Sequence, residues 1–225
     1  DLPETEEERL EALILVEKLV ASWGNVEAIR DVMAEARLLE TNAILRLAEK
    51  LMEHPNEDIR AEALMLADGA TSIASLKLFE QAMRDASADI RRLAMESAQQ
   101  MSDPAVRGLV NMGLGDDDQG VRQLAFHLAM NQRDDIRHEV VSRALQSPLE
   151  DLAMAGMVEA EAMPGKAVLP RVIESLGHSS PEVRERAHEM LTLLFHEEFI
   201  SSQHAANWWK ENQQDYDEDL VYHPR

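Results

Sequence analysis

The sequence predicts an all-α protein, an α-solenoid of stacked two-helix repeats, on three observations. One stretch, Ser179 to Leu191, reads as a helix start followed by an amphipathic helix. Ser180 can cap the first free backbone N–H groups, Pro181 suits the first helical position, and Val183, Ala187, Met190 and Leu191 make one apolar stripe. The same pattern recurs in register: steps of 31 residues back from Val183 reach Leu152, Val121, Ile90 and Ile59. Four places on stand Ala187, Gly156, Ala125, Ala94 and Ala63; eight places on stand Leu191, Ala160, Ala129, Ala98 and Ala67. Nowhere does the chain show the period-two alternation of a half-buried strand. A fixed period of this size marks an architecture in which each unit buries its apolar face against its neighbours.

Taken in order, the chain opens on an acidic lead with Pro3, expected to fray. Thr5 and Glu8 offer a capping box, and Leu10, Leu13, Ile14 and Val16 to Val20 carry a helix up to Gly24. Asn25 can cap a second helix through Ile29, Val32, Met33 and Ala36. This pair is a degenerate terminal repeat, since Ile29-Arg30 sits 30 rather than 31 residues before Ile59-Arg60. From Thr41 the units are regular. Their first helices align Leu47, Leu78, Leu109, Val140 and Arg171, and also Met52, Met83, Leu114, Leu145 and Leu176. The breaks fall at Glu53–Asn56, Asp85–Ser87, Gly115–Asp118, Gln146–Pro148 and Gly177–Ser180, all rich in residues that stop one helix and cap the next. Short turns such as Asp68-Gly69 and Ser102-Asp103-Pro104 join the units. Phe195 to Asn212 reads as one more helix, followed by an acidic tail, 215–225. All three tryptophans, Trp23, Trp208 and Trp209, lie in terminal segments, where large aromatics can cover the open ends of a stack.

The totals set limits on partners. A chain of 225 residues buries roughly 70% of the surface it exposes unfolded. With 22 basic and 43 acidic residues the formal charge is −21 and the pI near 4.7, which disfavours nucleic acid and anionic membranes and suits basic partners or solubility. The absence of cysteine removes disulfides, thiolate ligands and a thiol nucleophile. No apolar run is long enough to span a membrane, so a soluble chain is expected. The chain starts at Asp1 rather than Met, which is read as processing or trimming and is compatible with a lost export signal or anchor.

The columns carry a family resemblance. An Asp-Ile/Val-Arg-x-x-Ala signature opening the second helix of a unit of about thirty residues resembles HEAT repeats, most nearly the short bacterial type grouped with the phycobilin-lyase HEAT-like repeats. Asp58-Ile59-Arg60-Ala61-Glu62-Ala63 and Asp89-Ile90-Arg91-Arg92-Leu93-Ala94 match it best, while Gly120-Val121-Arg122 and Glu182-Val183-Arg184 match with one change each. The fourth unit, Asp151-Leu152-Ala153-Met154-Ala155-Gly156, lacks the arginine and the alanine. The resemblance spans about Leu38 to His196 and implies a right-handed solenoid. Small residues at two positions per unit are expected to let neighbouring helices approach closely. Arg60, Arg91, Arg122 and Arg184 are each expected to reach an acid of an adjacent unit, forming a polar ladder that sets the stacking register.

Some proteins with this repeat are enzymes. Deoxyhypusine hydroxylases bind two irons through His-Glu pairs at one repeated position, but His138-Glu139, His188-Glu189 and His196-Glu197 occupy three different places relative to the repeat. The remaining histidines are scattered, and most are read as surface residues. HEAT-like DNA glycosylases need a basic groove, which the charge opposes. No nucleophile–base pair, phosphate-cradling loop or nucleotide motif is present. No catalytic, cofactor or metal residue is therefore assigned.

Two stretches stand out as partner surfaces. The fourth second helix, Leu149 to Met163, carries Met154, Met157 and Met163 with few charges, and methionine surface adapts well to peptides. The acids Asp116-Asp117-Asp118 and Asp134-Asp135 can meet a basic partner or a cation, or act as solvated helix caps. The expected organisation is an N-terminal helical cap (1–37), five repeats (38–196) and a C-terminal capping helix with an acidic tail (197–225). The expected function is a non-catalytic scaffold binding a protein or peptide, with basic character one option, on the concave face of the second helices. Glu62, Arg92, Gln123, Met154, Met157 and Glu185 are the candidate contact residues. The alternatives are an enzyme or enzyme subunit of the phycobilin-lyase kind and a purely structural spacer.

Overall fold

Helices end where the sequence supplies a stop and begin where it supplies a cap. The computed structural model describes residues 5–38, 41–67, 73–101 and 103–223, and among them there are thirteen α-helices and a single isolated bridge, Tyr216 to Tyr222. The acidic lead, the Glu8 side chain of the capping box, the Asp68-Gly69 turn and Ser102 lie outside the described residues. The chain falls into two compact units, Asp1–Leu128 and Ala129–Arg225.

In the first unit, α1 (Glu6–Ala21) and α2 (Val26–Ala36) form the terminal pair, followed by α3 (Thr41–Leu51) with α4 (Glu57–Leu66), α5 (Ile73–Ala82) with α6 (Ala88–Ser97), and α7 (Asp103–Leu114) with α8 (Gln119–Met130). First helices meet their own partners and one another: α1 packs on α2 and α3, α3 on α4 and α5, and α5 on α6 and α7. Among the second helices, α4 packs on α6. This neighbour-to-neighbour pattern is that of stacked helical hairpins. Asn25, Asn56 and Ser87 cap α2, α4 and α6 by accepting the N–H of Ala28, Asp58 and Asp89.

The columns are the core. Ile59, Ile90 and Val121 are buried, as are Ala63, Ala94 and Ala125 and then Ala67, Ala98 and Ala129. Small side chains are required by proximity: a Cβ on Gly113 would stand 2.6 Å from the Cβ of Ala125. On α1, Ala12, Leu15 and Leu19 face inward. Leu10, Leu13 and Ile14 lie on the expected helix but are exposed, because only one stripe of a terminal helix has a neighbour to cover it.

The second unit pairs α9 (Asp134–Leu145) with α10 (Glu150–Ala162) and α11 (Leu169–Ser175) with α12 (Pro181–Phe195), and closes with α13 (Ser202–Asn212). Here α10 packs on α9 and α12, and α11 on α12 and α13. Gly156 of α10 lies against α9, where an added Cβ would come within 3.0 Å of the Leu145 backbone nitrogen. α11 is short because Pro170 fits only in a first turn. The helix expected from Phe195 to Asn212 is two elements. α12 stops at Phe195 with His196 in the left-handed region (φ 56°), and Ser201 restarts α13 by accepting the His204 N–H. Phe195, Phe199, Trp208, Trp209 and Tyr216 then cluster, with Phe195 centroids 4.9 Å from Trp208 and 5.3 Å from Tyr216. No helix among the described residues is long and apolar enough to cross a membrane.

Candidate functional site

Burying one stripe of each second helix sets another stripe outward. In the first unit the outward positions are Ala61 and Met65 on α4, Arg92 and Glu96 on α6, and Gln123 and His127 on α8; in the second unit they are Met154 and Val158 on α10, and Glu185 and Glu189 on α12. The two residues of each pair are four apart and so lie one above the other. Gln123 and Glu185 are exposed, whereas Arg92 and Met154 are half-buried. Glu62 lies one place further round, between helices, where its carboxylate takes Arg30 in a two-pronged pair at 2.7 to 3.2 Å.

Met157 does not belong to this surface. It is fully buried beside Ala153, Gly156 and Ala160, in the same 31-residue column as the buried Leu64, Met95 and Phe126, so this position faces the core in the earlier repeats as well. The candidate face of α10 therefore rests on Met154, with Val158 added.

The ladder is built from turn residues. Arg60 donates to both oxygens of Asp85 at 2.7 and 2.9 Å, and to the carbonyl oxygens of His54 and Pro55. Arg91 repeats this with Asp116 and with the carbonyls of Asp85 and Ala86. The acids engaged are those of the following break, while Asp89, from the signature, is largely exposed and pairs with Arg92 on its own helix. Arg122 donates to the Asp116 and Asp117 carbonyls, and Arg184 to those of His178 and Ser179. Each thus closes its own turn. The expected acid partner is absent for Arg184 because Trp209 follows it by 25 residues, the spacing at which Asp85 follows Arg60.

One position in every break does the same work. His54 Nδ1, Asp85 Oδ1, Asp116 Oδ1, Ser147 Oγ and His178 Nδ1 each accept the backbone N–H two residues on. Where the residue 25 earlier is arginine, the position is aspartate after Arg60 and Arg91 and serine after Arg122. Histidine stands where it is not, after Ile29 and Ala153, and there Nε2 donates to the carbonyl 31 residues earlier: His54 to Trp23 at 3.0 Å, His178 to Ser147 at 2.8 Å. With Nδ1 accepting, the proton lies on Nε2, and the ring does for the preceding turn what the missing guanidinium would have done. His54 and His178 are therefore structural, exceptions among the scattered histidines, of which His127, His204 and His223 are exposed as expected. Their place in the same 31-residue column as Asp85 and Asp116 was the signal that could have found them.

The acid run is consumed in the same way. Asp116 is held by Arg91, and Asp118 is held by Arg92 at 3.0 Å while it caps α8 through the Val121 N–H. Partial burial pushes Asp85 and Asp116 up. Hydrogen bonds from Arg60 and Arg91, the N–H groups of Ser87 and Asp118, and the arginine charges overcome this and leave both carboxyls below the ordinary range. Arg92 and the Val121 N–H bring Asp118 down to about 2. Carboxyls with lowered folded values add stability that is complete above the unfolded value of about 4 and is lost as pH falls toward the folded one. Urea midpoints are expected to hold or rise toward pH ~5 as self-repulsion relaxes, then to fall between about pH 4 and 2. Asp118→Asn should make that fall shallower. An unchanged acid limb would mean that Asp118 contributes nothing through its charge.

On the second unit, a pocket of about 240 Å³ lies between α10 and α12, lined by Glu161 and Pro164 on one side and Arg186, Glu189, Met190, Leu193 and Leu194 on the other. Arg186 spans it, with Nε 2.5 Å from the Glu161 carboxylate and Nη1 3.6 Å from Glu189. Among the described residues no group of three or more His, Asp or Glu side chains is placed to hold a metal ion. Of the His-Glu pairs, His138 lies on α9 and bonds the Asp134 carbonyl oxygen, His188 lies on α12, and His196 is the cap of α12.

The geometry defines an all-α helical-repeat protein with an outward stripe of mixed chemistry on its second helices. No protein-family model matches the chain, and no curated protein matches it. Among solved structures it is similar to the TOG domain of human Cep104, at 16% identity and a TM-score of 0.39, over 94% of this chain and 95% of that one. A likeness this loose carries nothing about partners.

Proposed function

We propose that the protein is a non-catalytic scaffold that binds a protein or peptide through the outward stripe of its second helices. The observation that carries this reading is that large apolar side chains are left uncovered there: Met65 at 53% exposure on the first unit, and Val158 at 55% and Leu193 at 76% on the second. Large apolar side chains left exposed and flanked by charged residues, as Val158 and Leu193 are on the packed helices α10 and α12, suit an interaction surface. Glu62, Arg92 and Gln123 on the first unit, and Met154 and Glu185 on the second, are the candidate contact residues.

Site-specific photo-crosslinking tests the reading. A benzophenone side chain is placed at Gln123 or Met154, and separately at Lys77 on the exposed side of α5, and lysate of the source organism is irradiated with each. A protein adduct from Gln123 or from Met154 that is missing from Lys77 is the expected result. Equal labelling from both faces would mean that the second-helix stripe is not the binding surface. A chromophore or metal co-purifying with the chain would overturn the non-catalytic reading in favour of a lyase-type enzyme.

A further inference from the structure

We infer that the pocket between α10 and α12 receives a large aliphatic or aromatic side chain from a basic partner segment, with a lysine or arginine beside that anchor. The inference rests on the scaffold reading and specifies the partner's chemistry. Met190 is buried beneath the pocket, while Leu193, Leu194 and Pro164 line it and remain partly or largely exposed. Its volume of about 240 Å³ falls below the roughly 300 to 1,000 Å³ of small-molecule sites, which favours a side chain over a cofactor or drug-sized ligand.

The charge around the pocket selects the flank of that anchor. Arg186 is the basic residue among those lining the pocket, and it is already committed to Glu161 and, at longer range, to Glu189. Two carboxylates against one guanidinium leave the rim negative. A second, independent source has the same sign. α10 ends at Ala162 and α12 at Phe195, both next to residues of the pocket, and neither last turn carries a basic side chain. A helix C-terminus is equivalent to about half a negative charge; that of α10 is approached by Arg137, which donates to the Met163 sulfur, while the last turn of α12 carries no basic residue, so that end adds to the negative rim. An occupant with a bare apolar end would leave this field unanswered, and an acidic peptide or anionic lipid would be repelled by it. An apolar anchor with an adjacent cation satisfies both the floor and the rim.

The test uses the whole chain and a random dodecapeptide display library. Selected peptides are synthesised with a fluorophore, and their binding is measured by anisotropy to the wild type, Leu193→Ser and Glu189→Gln. Leu193 and Glu189 are exposed, and circular dichroism verifies that both variants keep their helices. The expected result is a shared Leu, Met, Phe or Trp next to Lys or Arg. Leu193→Ser should then weaken binding by about tenfold or more, and Glu189→Gln should weaken it less while flattening its salt dependence. Peptides that bind Leu193→Ser as tightly as the wild type, yet lose affinity when Gln123 or Met154 is changed, would overturn this inference and leave the scaffold reading standing. Failure to select any peptide, together with no adduct from Gln123 or Met154, would remove both. A concentration-dependent dimer dissolved by Leu193→Ser would also overturn the inference, since a second copy of the acidic chain would then fill the pocket.

Discussion

Met157→Ser should lower the free energy of unfolding by about 3 kcal/mol, because it removes a fully buried thioether and leaves a cavity with a hydroxyl in it. The comparison variant is Met154→Ser, three residues earlier on the same helix and half-buried, for which the expected cost is below about 1 kcal/mol. Urea denaturation followed by circular dichroism distinguishes the two. Similar midpoints for both variants would show that α10 is rotated relative to the arrangement described. The pair also matters for function. A double change of Met154 and Met157 would mix loss of surface with loss of fold, so only Met154→Ser, or Val158→Ser beside it, is informative about binding.

Asp116→Ala should cost about 3 kcal/mol, a large loss for a charge on a turn. The Asp116 side chain is 7% exposed and Arg91 15%, so removing the acid strands a largely buried guanidinium and frees the Asp118 N–H at the start of α8. Breaking one side of a buried pair typically costs 3–5 kcal/mol, and the remaining access of water to Arg91 puts the expectation at the low end, about 3 kcal/mol. The contrast is Glu62→Ala, where a 28% exposed carboxylate pairs with a 43% exposed Arg30 and the expected loss is at most about 1 kcal/mol. If Asp116→Ala were no worse than Glu62→Ala, the ladder would be ornamental and the stacking register would rest on apolar contacts alone.

Most of the fold was legible because a solenoid repeats its constraints. A column such as Ile59, Ile90, Val121, Leu152 and Val183 states the buried stripe five times over, and the caps at Asn25 and Ser180 follow from side-chain chemistry within three residues of the helix start. The arginines of the ladder were legible as a ladder, but their partners were not. Asp85 and Asp116 lie 25 residues beyond Arg60 and Arg91, and only the stacked turns bring them together. The histidines were missed for a related reason. His54 and His178 look scattered until their place in the turn column is seen, and their second bond reaches a carbonyl on the preceding turn.

The sequence by itself determined the helix count per unit, the spacing of the stops and which residues are small at the stacking contacts, because these depend on local periodicity and near-neighbour hydrogen bonding. Tertiary structure alone decided which of Met154 and Met157 faces water, and it converted the acid run into ladder and cap. It also opened the pocket between α10 and α12, since burial and charge pairing at those positions depend on which helix surface arrives from the next repeat.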